Sequence, residues 1–101
     1  MPRAEVASVD EVPADQAKLV RVSGVEILLF RVGDGFRAYR NACPHANAPL
    51  NTGRVSNGVL RCPWHGWEFN LSTGAHVRVA SCTLDAYTVE VEGGRLFVTT
   101  A

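Results

Sequence analysis

Two short motifs, each with one cysteine and one histidine, constrain this chain more than any other feature. The first reads Cys43-Pro44-His45 and the second Cys62-Pro63-Trp64-His65, with sixteen residues between them. Two thiolates and two imidazoles form a mixed sulfur and nitrogen donor set, which suits either zinc or an iron-sulfur cluster. The sequence therefore predicts a metal centre whose ligands are Cys43, His45, Cys62 and His65.

The order of the donors favours the iron-sulfur cluster. In common structural zinc sites two cysteines lie close together in one turn and two histidines in the next element, whereas each motif here carries one of each. If two loops grip a two-iron cluster from opposite sides, both cysteines can hold one iron and both histidines the other, as in Rieske [2Fe-2S] centres. A structural zinc module remains the alternative on donor chemistry alone.

The residues around the ligands agree with the cluster. The segments 43–50 and 62–69 read CPHANAPL and CPWHGWEF, and they resemble the two cluster-binding loops of the Rieske family. The resemblance extends over nearly the whole chain in length and strand pattern, although only these loops are specific. It implies one [2Fe-2S] cluster per chain, with a small antiparallel barrel and an inserted cluster-binding subdomain at about residues 42–70.

Within that family the chain is most similar to the soluble ferredoxins of bacterial ring-hydroxylating oxygenase systems. Family oxygenase subunits also hold a mononuclear iron with two histidines and a carboxylate, but beyond the ligands only His76 is left. Respiratory members have an extra cysteine in each loop, where this chain has Ala48 and Trp64. The resemblance thus implies an electron carrier, not an enzyme, with a flavoprotein ferredoxin reductase and a terminal oxygenase as partners. A small subunit of a nitrite reductase-type assembly is the alternative.

The second loop also implies a low reduction potential. In high-potential respiratory members, a serine and a tyrosine hydroxyl after the second histidine donate hydrogen bonds to the cluster sulfurs. The matching positions are Trp67 and Phe69, and neither side chain has a hydroxyl. Because such outer contacts tune a metal centre, we expect a potential in the lower part of the Rieske range.

Composition sets broad limits on the remaining possibilities. The 101 residues suffice for one domain, 1–101, and 47% of them are hydrophobic. Ten basic and ten acidic residues cancel, so nothing predicts affinity for nucleic acid or an acidic membrane. No apolar run has the length of a membrane span, and no signal sequence is evident. With Cys82 as the third cysteine, we expect a soluble, cytoplasmic protein without a disulfide framework.

The periodicity predicts an all-β fold, either a barrel or a sandwich. Residues alternate or form short apolar runs without a helical period, and Ser23-Gly24, Asn57-Gly58 and Gly93-Gly94 mark reversals. A single helical turn is expected before Pro13, where Ser8 or Asp10 could act as its cap. The expected strands are residues 5–9, 18–22, 25–32, 36–41, 67–71, 87–92 and 95–99, with a hairpin between the two ligand motifs.

Overall fold

Strand-forming segments dominate the computed structural model, which describes residues 3–33, 35–43, 49–63, 66–79 and 81–99. Within these residues the chain forms nine strands and one 3-10 helix, Val9–Glu11. The strands are β1 Arg3–Ser8, β2 Lys18–Val22, β3 Val25–Val32, β4 Gly35–Arg40, β5 Arg54–Ser56, β6 Val59–Arg61, β7 Glu68–Asn70, β8 Ala86–Glu92 and β9 Arg95–Thr99.

Every strand pairing is antiparallel, and the strands form two sheets. The larger sheet has the order β1-β9-β8-β4-β3-β2, and its two edge strands contact each other, which nearly closes it into a barrel. The smaller sheet has the order β5-β6-β7. The predicted all-β antiparallel barrel is therefore confirmed. No helix in the described part of the chain is long and apolar enough to cross a membrane.

Two-residue turns fix the register of the hairpins that the sequence predicted. Ser23 and Gly24 have φ angles of 51° and 81°, and Asn57 and Gly58 have φ angles of 52° and 76°. Positive φ at both central positions matches the right-handed twist of the flanking strands. The turn at Asn57-Gly58 pairs β5 with β6, and Cys62 follows β6 directly.

The predicted single helical turn is present as the 3-10 helix. The Glu11 carboxylate accepts hydrogen bonds from the Ser8 amide at 2.9 Å and the Ser8 hydroxyl at 3.1 Å. These bonds occupy a donor that a helix start would otherwise leave unpaired, and they also lower the pKa of Glu11. The turn carries the chain from β1 toward β2.

Strand β3 supplies two separate cores from its two faces. Leu28 and Phe30 pack into the first core cluster, together with Tyr39, Cys43, Leu50, Leu60, Cys62, Phe69, Leu71 and Leu84. Ile27 and Leu29 pack into the second, inside the barrel. A strand covered on both faces reads as a continuous apolar run, which is why residues 27–30 show no alternation. The first cluster joins the larger sheet to the smaller one.

Candidate metal centre

Cys43 and Cys62 lie in the same core cluster, at the junction of the two sheets. Cys43 comes three residues after β4, and Cys62 comes directly after β6. Their exposed fractions are 0% and 1%. Two cysteines with eighteen residues between them in the chain thus lie in one buried region.

The two predicted nitrogen ligands, His45 and His65, lie outside the described residues. The same holds for Pro44, Ala48 and Trp64. The structure therefore brings together the sulfur half of the predicted ligand set and leaves the nitrogen half as a prediction. Among the described residues alone, no group of three histidine, cysteine or carboxylate side chains could hold a metal ion.

The donor chemistry at this position fits an iron-sulfur cluster. Oxygen-preferring ions such as magnesium need carboxylates, and the described residues include no buried charged side chain. Thiolates, in contrast, are the ligands that iron-sulfur clusters and zinc prefer. A metal centre binds thiolates directly, so two buried cysteines in one core region suit a site that a metal completes.

Asn41 closes the first ligand loop. Its Oδ1 accepts a hydrogen bond from the amide of Leu50 at 2.6 Å, so one side chain joins the residues on either side of Cys43 and residues 44–48. Its Nδ2 donates to Glu26 Oε1 at 3.2 Å, and its amide donates to the Glu26 carbonyl at 3.0 Å. The loop is thereby anchored to β3.

Glu26 is in turn held by Arg21. The guanidinium of Arg21 donates to Glu26 Oε2 from Nη2 at 2.8 Å and from Nε at 3.2 Å. These bonds from Arg21, with a smaller contribution from the Asn41 amide group, lower the pKa of Glu26 below its ordinary value. The carboxylate therefore stays charged, and an accepting oxygen remains available to Asn41.

The second ligand loop is closed by backbone hydrogen bonds. The amide of Cys62 donates to the carbonyl of Trp67 at 2.7 Å, and the amide of Gly66 donates to the carbonyl of Cys62 at 3.1 Å. Gly66 has a φ of 69°, a conformation that residues with a side chain rarely adopt. The guanidinium of Arg61 also lies over this glycine, 3.1 Å from where a Cβ would be.

Gly53 packs the first loop against the strand that leads into the second. A Cβ at this position would lie 2.6 Å from the carbonyl oxygen of Arg61 and 3.0 Å from that of Leu50. Both neighbours are backbone atoms, which cannot rotate away. Only glycine allows the two loops to approach this closely.

Residues 76–79, 81 and 82 belong to a further loop, which contacts the second ligand loop through His76 and Trp67. His76 accepts hydrogen bonds at Nδ1 from the amides of Arg78 and Val79, at 3.0 and 3.1 Å, and its ring packs edge-on against Trp67 at 4.7 Å. These contacts give the third histidine partners within the fold. Cys82 is half-buried and packs against the first core cluster.

Asn41 and Gly53 are structural residues of the site that the sequence did not single out. Asn41 follows the last strand residue before a ligand motif, a position where a short amide side chain can bond loop backbone, and this was the available signal. Gly53 resembled an ordinary turn glycine, because its close neighbour Arg61 is brought near only by strand pairing. Neither contact follows from local pattern.

Comparisons with known proteins point to one family. The family model described as "Rieske [2Fe-2S] domain" matches residues 3–92. Ferredoxin CarAc of Metapseudomonas resinovorans is 35% identical over 94 residues, covering 91% of this chain and 87% of the relative.

Solved structures agree in fold. The ferredoxin of carbazole 1,9a-dioxygenase from Nocardioides aromaticivorans IC177 is 30% identical with a TM-score of 0.86, and the match covers 100% of both chains. A chain in a complex of reduced oxygenase and oxidized ferredoxin in carbazole 1,9a-dioxygenase is 32% identical with a TM-score of 0.82, over 96% of this chain and 92% of that one.

Proposed function

The chain belongs to the Rieske [2Fe-2S] domain family, and from that premise we propose that Cys43, His45, Cys62 and His65 bind its cluster. The cofactor is a Rieske-type [2Fe-2S] cluster, and when bound it supplies one-electron redox chemistry. The chain is an electron-transfer protein of the ferredoxin kind and is not itself a catalytic oxygenase. Of the two metal centres that the donor set left open, the iron-sulfur cluster is the one that this family carries.

The shared burial of Cys43 and Cys62 is the observation that carries the ligand assignment. Both thiols lie in the first core cluster, the group of buried side chains between the two sheets. Each cysteine belongs to a loop whose ends are joined by hydrogen bonds. We extend this assignment to His45 and His65 because each follows one of these cysteines at the family spacing. The cluster-binding subdomain is then about residues 42–70 of a single domain, 1–101.

The proposed partners are a flavoprotein ferredoxin reductase and a terminal oxygenase. This proposal is supported by the relatives whose names describe ferredoxins of oxygenase systems and by the related chain solved in complex with an oxygenase. We also propose that the protein works in the cytoplasm, where the half-buried thiol of Cys82 would remain reduced.

Substitution of each ligand, compared with matched controls, tests the assignment. Cys43→Ser, Cys62→Ser, His45→Ser and His65→Ser should each remove the visible absorption and the Rieske EPR signal, because each removes one metal bond. Cys82→Ser and His76→Asn change the third cysteine and the third histidine, and both should retain the cluster. A His45→Ser protein with an unchanged Rieske EPR spectrum would refute that ligand.

A further inference from the structure

The charges of this neutral chain are unevenly distributed along the sequence. Residues 42–79, which contain both ligand motifs, carry three arginines and a single acidic residue, Glu68. The rest of the chain carries seven basic and nine acidic residues. The segment that holds the cluster is therefore positive and the remainder is negative.

The three arginines of this segment also differ from the others in their contacts. Ion pairs among the described residues involve arginines of the larger sheet, namely Arg3, Arg21, Arg40 and Arg95. Arg31 and Arg37 donate to backbone carbonyls. Within the part of the chain that the structure describes, no carboxylate lies within 4.0 Å of Arg54, Arg61 or Arg78.

Arg54 and Arg61 stand directly opposite each other in the pairing of β5 with β6. Like charges at opposed positions of a sheet are destabilising, and Arg61 lies between Arg54 on β5 and Glu68 on β7. Glu68 is directly opposite Arg61 in the pairing of β6 with β7, but the two side chains form no ion pair. Instead, the Arg61 guanidinium lies over Gly66, in the second ligand loop.

Arg54 and Arg61 line an open cavity that extends to Cys62, one of the proposed metal ligands. The cavity has a volume of about 410 Å³ and is lined by Thr52, Arg54, Arg61, Cys62, Pro63 and Gly66. A group bound between the two guanidinium groups is therefore next to the loop that contains Cys62. Both guanidinium groups thus lack an ion pair among the described residues and line the same cavity as Cys62.

We propose that Arg54 and Arg61 form a docking surface for acidic side chains of the redox-partner protein. The proposal rests on the electron-transfer function proposed above, and it names the chemistry of the partner face. Two neighbouring guanidinium groups present planar hydrogen-bond donors whose geometry matches that of carboxylates. Because these arginines are exposed and form no ion pair with the described residues, they can bind a partner's carboxylates without first breaking one.

Electrostatics of this kind acts mainly on how partners meet. A protein with one positive end turns that end toward a negative surface during diffusion, which raises the rate of productive encounter. Because redox complexes have small interfaces, a few orienting charges are a large share of their contacts. The arginines would thus bring the cluster loop, rather than the acidic sheet, against the partner.

Binding of an acidic peptide tests the surface directly. Fluorescence anisotropy of a labelled decaglutamate peptide should show binding to the holoprotein at low ionic strength, and the double variant Arg54→Gln/Arg61→Gln should weaken it at least fivefold. Arg54→Lys/Arg61→Lys should retain most of the binding. Arg3→Gln/Arg95→Gln removes the same charge from the larger sheet, and this control should bind as the wild type does.

Electron exchange with a small anion supplies a second readout. The reduced protein passes one electron to hexacyanoferrate(III), which becomes hexacyanoferrate(II). Removing both arginines should lower this second-order rate about three- to tenfold at low salt, with little change at high salt, because screening abolishes the attraction. Hexaamminecobalt(III), a cation, should instead react faster with the double variant.

Three outcomes would overturn the docking surface. They are equal peptide binding by Arg54→Gln/Arg61→Gln and wild type, an equal loss in the Arg3→Gln/Arg95→Gln control, and displacement of the peptide by inorganic phosphate but not by chloride at the same ionic strength, which would indicate a small-anion site. All are measured on protein that shows the Rieske EPR spectrum. Absence of that spectrum from the wild type refutes the proposed function instead.

Discussion

The Oδ1 atom of Asn41 accepts a hydrogen bond from the amide of Leu50 at 2.6 Å. This single bond closes a loop that begins two residues before Cys43 and extends beyond His45. Because the same side chain also donates to Glu26, the loop is fixed both to itself and to the larger sheet. Asn41, which is not among the proposed metal ligands, therefore positions the backbone on either side of Cys43.

Replacing Asn41 with leucine should loosen the first loop. The Leu50 amide would lose its acceptor in a partly buried position, at a cost of about 1–3 kcal/mol in the free energy of unfolding. Urea unfolding measures this loss, and the half-life of the visible chromophore in air reports the loop itself. Asn51→Ala serves as the control, since Asn51 makes only a long 3.4 Å contact with Asn41, and it should change stability by less than about 0.5 kcal/mol.

Gly53→Ala should destabilise the protein although it adds only one methyl group. The new Cβ would lie 2.6 Å from a backbone oxygen of Arg61, so the loops must separate. This overpacking should lower the free energy of unfolding by about 1–3 kcal/mol. Gly35→Ala is the matched control, because its Cβ would meet no atom closer than 3.6 Å. Thermal unfolding of both variants decides the matter: similar midpoints would show that the loops are not packed as described.

The Glu26 carboxylate should stay ionised at pH values below those at which glutamate usually titrates. Its pKa is lowered chiefly by the Arg21 hydrogen bonds and secondarily by Asn41. The stabilising contribution of this carboxylate is therefore complete above the ordinary pKa, near 4.3, and is lost as the pH falls through the lower folded-state value. Carbon-detected NMR should find the group mostly ionised at pH 4.3. Arg21→Gln should raise the midpoint more than Asn41→Ala, and the reverse order would contradict the assignment.

Tyr39 should make the protein sensitive to alkali. Its buried hydroxyl donates to the Leu71 carbonyl at 2.6 Å, and burial raises its pKa despite the nearby Arg37 charge. A raised folded-state pKa stabilises fully below the unfolded value of about 10, and the contribution is lost as the pH rises through the folded value. At neutral pH the substitution Tyr39→Phe should lower the free energy of unfolding by about 1–2 kcal/mol.

Comparing unfolding free energies at pH 8 and pH 11 checks the alkaline effect. The advantage of the wild type over Tyr39→Phe should shrink at the higher pH, because phenylalanine does not titrate. An advantage that stays constant would mean that the hydroxyl is not held protonated by the fold. Tyr87→Phe is a control for the loss of a hydroxyl on β8 and should have little effect at neutral pH.

The reduction potential should lie below about 0 mV, in the lower part of the range of roughly −150 to +300 mV that Rieske centres span. Phe69 is fully buried in the first core cluster, beside both cysteines, and its side chain has no hydrogen-bond donor. Phe69→Tyr should raise the potential if its hydroxyl bonds a cluster sulfur. Redox titration measures the shift, with Phe36→Tyr, beside the second core, as a control. A wild-type potential near the top of the range would show that these hydroxyls do not set it.

Local pattern was sufficient to predict the strands but not the contacts that shape the site. Lys18–Val22, Val25–Val32 and Arg95–Thr99 have the predicted bounds because two-residue turns and β-forming runs delimit them. The predicted strand 67–71 is shorter, Glu68–Asn70, since the Trp67 carbonyl bonds the Cys62 amide in the loop. The opposition of Arg54 and Arg61 follows from the predicted turn at Asn57-Gly58. The bond from Leu50 to Asn41 and the approach of Gly53 to Arg61 depend instead on the path of the loop, which strand periodicity does not specify.

Strand β3 separates the core that contains the cysteines from the core inside the barrel, so the two cores can become ordered at different stages of folding. The second core, inside the barrel, shares only this strand and its neighbours with the cysteines, so a newly made chain can complete the barrel before any iron arrives. Amide exchange in the cofactor-free chain should then be slow in β1, β8 and β9 and fast in β5 to β7. In a chain with that exchange pattern, both thiols would become accessible for cluster insertion while the barrel stays rigid.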